Sequence, residues 1–86
     1  MKEVIAIIQP FAMRQVIYVF DGLSQTNVEG VTLADLPERL IQLCEENEAE
    51  ELHLRGDIHF TSKIANIVKD KGLSHYSENG LTIFTD

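Results

Sequence analysis

The residue order predicts an α/β domain, a small mixed sheet of two or three N-terminal strands followed by helix, strand, helix and strand, with two helices packed on the sheet. Three observations carry this reading. Short β-branched runs open the chain, two amphipathic patterns with start and stop signals fill its second half, and each of these is followed by a further short apolar run.

Glu3 to Gln9 is a β-branched run whose continuity predicts a strand buried on both faces near the centre of a sheet, and Pro10 ends it. Arg14 to Asp21 is the second run, closed by Gly22. Met13, Val16, Ile17, Phe20 and Leu23 also fall at helical spacing, but Tyr18 and Val19 suit a helix's polar face badly, so a strand is preferred. Ser24 to Gly30 reads as a polar turn segment, with a short edge strand at Val28 to Leu33. Asp35, Pro37 and Glu38 predict a helix start with a capping box, and Leu36, Leu40, Ile41, Leu43 and Cys44 form its apolar stripe. This helix is expected to fray into the acidic run Glu45 to Glu51. Leu52 to Arg55 alternates as a strand should, with both leucines on one face and His53 and Arg55 on the other. The second helix follows Gly56-Asp57, carries Phe60, Ile64, Ile67 and Val68, is capped by Asp57 or Thr61, and ends at Lys69, Lys71 and Gly72. Asn79-Gly80 is a turn before a last strand, Leu81 to Thr85, with which Ser74 to Tyr76 could form a hairpin. The predicted core is Leu40, Ile41, Leu54, Ile64, Val68 and Ile83, joined by Ile5, Ile7, Ile17 and Val19.

Eighty-six residues make a single domain spanning 1–86, and 44% apolar with 24% charged residues excludes a disordered or low-complexity chain. Seven basic against fourteen acidic residues give a net charge of −7, which argues against direct nucleic-acid binding. Cys44 has no possible internal disulfide partner, so a reducing, cytoplasmic setting is expected. The apolar run Val4 to Ile8 is too short for a signal sequence or membrane span.

The best local site candidate is the strand-to-helix junction Arg55-Gly56-Asp57-Ile58-His59, because ligands of open α/β sheets gather at strand carboxyl ends near helix N-termini. The bland alternative gives Gly56 to the turn, Asp57 to the helix cap and His59 to solvent. Asp21 and Asp57 both end strands and could share one sheet edge and a magnesium ion. His53, His59 and His75 lack zinc-ligand spacing, so no metal site is expected. Glu45, Glu46, Glu48 and Glu50 are either a solvated helix end or a docking face for a basic partner, since carboxylates there oppose the helix dipole.

Ile5-Ala-Ile-Ile-Gln-Pro-Phe11 looks like the opening strand of nitrogen-regulatory PII-type proteins, which implies a trimeric nucleotide-sensing ferredoxin-like domain. Ala12 stands where that family has lysine, and the element order after residue 35 departs from it. The order of three strands, helix, strand, helix, strand is similar to a ribonuclease H-like core without its last helix. That family places an aspartate within its first strand, and this first strand has none. Neither likeness names a family. No nucleophile is paired with a base along the chain, so the expectation is a non-catalytic protein-interaction or assembly module without cofactor. It would act as a homo-oligomer or a subunit of a larger complex, through an open sheet edge. The alternatives are an acidic phosphate mimic docking on a basic nucleic-acid-binding partner, and a nucleotide- or anion-binding regulator or magnesium-dependent enzyme using the Gly56-Asp57 junction.

Overall fold

The structure is a computed structural model that describes residues 2–72 and 81–85. β-Branched and aromatic side chains make extended backbone favourable in β1 (Glu3–Ile8), β2 (Gln15–Phe20) and β4 (Glu51–Gly56). The chain continues through β3 (Gln25–Val31), α1 (Leu36–Asn47), α2 (Ile58–Gly72) and β5 (Thr82–Thr85), in the element order β1-β2-β3-α1-β4-α2-β5. The described residues form one mixed five-stranded sheet with strand order β3-β2-β1-β4-β5. β1 and β2 pair antiparallel, as do β2 and β3, whereas β4 runs parallel to both β1 and β5. The fold is thus a small α/β domain with two helices packed on the sheet.

Both helices lie on one face. Val4, Ala6 and Ile8 of β1, Ile17 of β2, and Leu52 and Leu54 of β4 are buried against Leu36, Leu40, Leu43 and Cys44 of α1 and Ile64, Ala65 and Val68 of α2. The period of two in β1 is unambiguous, since Val4, Ala6 and Ile8 are buried while Ile5 and Ile7 are only half-buried. This corrects two expectations. β1 is central in the sheet but carries described helices on one face only, and Ile5 and Ile7 lie outside the core that the three residues between and beside them form. An all-apolar run carries no alternation from which to read which face a helix covers. Ile41, Ile83 and Val19 pack at the core's margin, and Ile67 is 39% exposed on α2.

Two local readings also change, at residues 25–30 and at Asp35. Residues 25–30 form strand rather than turn, because β2 offers an antiparallel partner along its whole length, from Phe20↔Gln25 to Gln15↔Val31. The first crossover does not join neighbouring strands, since α1 carries the chain from edge strand β3 past β2 and β1 to β4. Asp35 occupies the N-cap position of α1 without a side-chain cap bond. Its Oδ2 instead accepts a hydrogen bond from the Thr32 hydroxyl at 3.0 Å, so the capping box does not form. The suggested hairpin at Ser74 to Tyr76 and the Asn79-Gly80 turn lie outside the described residues.

Candidate interaction face

At the junction after β4, Gly56 adopts φ +110° and sits so close to β1 that an added Cβ would lie 2.2 Å from the Ile8 carbonyl oxygen. The next amide, of Asp57, donates to that same carbonyl at 3.1 Å. Asp57 Oδ1 accepts the Phe60 amide proton at 3.1 Å and caps α2. Gly56 and Asp57 are therefore engaged in joining β4 to β1 and starting a helix. His59 is exposed on the first turn of α2, and Arg55 projects from the opposite sheet face. The fold does not bring Asp21 beside Asp57. β2 runs antiparallel to β1, so Asp21 follows the residue paired with Glu3 while Asp57 follows the residue paired with Ile8. They stand about 23 Å apart along the strand direction, at roughly seven residue steps of about 3.3 Å. Asp21 closes its own turn, and the Ser24 amide, Ser24 hydroxyl and Leu23 amide hold its carboxyl below the ordinary carboxylate range.

The acidic run is not one helical face. α1 ends at Asn47, and Glu48 takes a left-handed conformation (φ 52°) in which the amides of Glu48 and Ala49 close on the carbonyls of Glu45 and Cys44. Glu50 then joins the sheet region through its backbone, its amide donating to the Lys2 carbonyl and its carbonyl accepting from the Thr82 amide. Glu45, Glu46, Glu48 and Glu50 are exposed, Glu46 lies 3.9 Å from Arg39, and Glu51 belongs to β4. The chain reverses within the run, which spreads its carboxylates over three structural settings.

The sheet face opposite the helices is the larger feature. Strand register places Asn27, Tyr18, Ile5, His53 and Phe84 in one row across all five strands. Towards the start of β1 the next row reads Phe20, Glu3, Glu51 and Thr82, and towards its end Val16, Ile7 and Arg55. Ile5, Ile7, Tyr18 and Phe20 are half-buried, while Val16 and Phe84 are 39% and 44% exposed. The His53 ring stacks on Phe84 with centroids 4.7 Å apart, and its Nε2 meets Glu51 Oε1 at 2.9 Å. Ligand atoms of Glu3, Glu51 and His53 all lie within 4.8 Å of one another, a donor set that suits a divalent cation. Sequence reasoning missed this grouping because Glu3 and Glu51 become neighbours only through the parallel pairing of β1 with β4. The alternation of His53 and Arg55 with two leucines was its single legible trace.

Gln15 shapes one end of the sheet. Its buried amide accepts the Gln9 amide proton and donates to the carbonyls of Gln9 and Ala12, which fixes the loop between β1 and β2. Phe11 and Met13 stand fully exposed on that loop.

By sequence, the chain matches no known protein family and no curated protein. Solved structures do resemble it. A Bacteroides thetaiotaomicron protein with an actin-like ATPase fold and unknown function shares 21% identity at a TM-score of 0.63, over 99% of this chain and 32% of that one. RuvC of T. thermophilus, solved in complex with a Holliday junction substrate, shares 13% identity at a TM-score of 0.52, over 98% of this chain and 64% of that one. The present chain therefore spans about a third of the first protein and under two thirds of the second. At these identities the likeness is one of fold.

Proposed function

We propose that this chain is a non-catalytic protein-interaction or assembly module whose contact surface is the sheet face opposite α1 and α2. The observation that carries this reading is the row Tyr18-Ile5-His53-Phe84 with Phe20, Ile7 and Val16 beside it, an apolar and aromatic surface with no described helix over it. A sheet with one covered face and one apolar face is stable as part of a further layer, and contiguous apolar patches of this kind mark contact sites. Protein suits this surface better than nucleic acid, since the chain carries −7 and the face includes Glu3 and Glu51. No described helix is long and apolar enough to cross a membrane. Burial of the single cysteine as a free thiol accords with a reducing, cytoplasmic setting.

The test is recovery of a companion from the native host by tagged chain, wild type beside the double variant Val16→Lys/Phe84→Lys. Both side chains are well exposed, so circular dichroism of the variant should be unchanged. A stoichiometric companion, whether another protein or an untagged copy of this one, should accompany the wild type and be lost from the variant. Equal recovery from both would reject the face. Magnesium-dependent nucleotide turnover abolished by Asp57→Asn would reject the non-catalytic reading.

A further inference from the structure

Building on that reading, we infer that the occupant of the open face is a second copy of this chain, stacked face to face about a two-fold axis that runs along the row Tyr18-Ile5-His53-Phe84. Charge placement selects this arrangement. On β4, Glu51 and Arg55 lie two residues either side of His53, and on β1, Glu3 and Ile7 lie two residues either side of Ile5. On β2, Phe20 and Val16 flank Tyr18 in the same way. A rotation of 180° about the central row returns each strand over its own copy, running in the opposite direction. Glu51 of each copy then faces Arg55 of the other, so the symmetry makes the charge pair twice. Phe20 meets Val16, Glu3 meets Ile7, and Tyr18, Ile5 and His53 meet their own counterparts at the centre, where each His53 keeps its bond to Glu51 of its own copy.

The other in-plane axis, parallel to the strands, brings the Glu3-Glu51 end of one copy onto the same end of the other. Like charges facing one another across an interface disfavour that packing. An axis along the row also matches the way two sheets stack, with side chains interdigitated and sheets about 10 Å apart.

The area sets the strength. Five strands spaced by about 4.8 Å and about 20 Å long present roughly 500 Å² per copy, or roughly 1,000 Å² in all. That lies at the lower limit for a specific interface, so the assembly is a reversible dimer with a dissociation constant of micromolar order. Isologous contact of this type is the commonest symmetry of soluble oligomers.

Sedimentation equilibrium of the full chain from about 5 µM to about 1 mM tests the assignment. Wild type should show a reversible monomer–dimer equilibrium. Glu51→Arg and Arg55→Glu should each weaken it about tenfold, because each reverses both symmetry-related pairs. The combined variant Glu51→Arg/Arg55→Glu should restore it to within about threefold of wild type. Within one strand the two positions are about 13 Å apart at four residue steps, too far for their own coupling to produce that rescue. Val16→Lys/Phe84→Lys should abolish the dimer. A chain that is monomeric at every concentration, or single and double charge variants whose losses simply add, would overturn the proposal. If the chain is monomeric while companion recovery still depends on Val16 and Phe84, self-pairing fails and the interaction-module reading stands. If neither dimerisation nor recovery depends on them, both fail.

Discussion

Gly56 shows what one residue can be asked to do. Its φ of +110° belongs to the region that side chains rarely adopt, and the Ile8 carbonyl occupies the space a Cβ would need. The same carbonyl accepts the Asp57 amide, so the close approach is what ties the end of β4 to the end of β1. Gly56→Ala should therefore combine backbone strain with a displaced strand end and destabilise the domain by about 3 kcal/mol. Urea denaturation measures it, and a loss below about 0.5 kcal/mol would mean that the two strand ends are free to separate. The glycine and the aspartate beside it were legible as a junction in the sequence. Whether the close approach served a ligand or another strand was not, because the partner backbone is distant in the chain.

At the scale of elements, the end of α1 is the informative case. Glu45 to Glu51 reads as one acidic helix tail, yet the backbone turns left-handed at Glu48 and the run divides between helix, cap and strand. Glu48 both occupies a conformation that costs a side-chain-bearing residue about 1 kcal/mol and places negative charge at the negative end of the helix dipole. Glu48→Gly should stabilise the domain by about 0.5–1 kcal/mol, and Glu48→Ala, which removes the charge but keeps the strain, should recover less than half of that. Equal midpoints for the two variants in urea would assign the effect to charge alone. α2 offers the contrast, for its start signal is fulfilled by the Asp57 cap while the equivalent signal of α1 is diverted to Thr32. Local signals compete with neighbouring hydroxyls, and the sequence does not rank the competitors.

For the molecule as a whole, one packed layer of helices on one sheet face supplies the core, and Cys44 lies within it. Burial first, then the negative charge of Glu45, pushes its thiol pKa from 9.0 up to about 12. A thiol that ionises near pH 9 when unfolded and near pH 12 when folded binds more protons in the folded state between those values. This part of the stability is present in full below about pH 9 and is lost as pH rises from about 9 towards about 12. Urea midpoints followed from neutral to alkaline pH should fall more steeply for wild type than for Cys44→Ala. Parallel curves would place the thiol in contact with solvent.

The period of β4, the apolar stripes of both helices and the mixed α/β class follow from the sequence alone, because each is set by local spacing and propensity. The tertiary structure decided everything that depended on which strands become neighbours. It put Val4, Ala6 and Ile8 rather than Ile5 and Ile7 beneath the helices, set Asp21 and Asp57 at opposite ends of the sheet, and gathered Glu3, Glu51 and His53 on the open face. The physical reason is that a uniformly apolar strand is equally fit to bury either side. Strand order and the hand of two crossovers, which bring α1 and α2 to the same face, break that symmetry and leave the other side without a described helix.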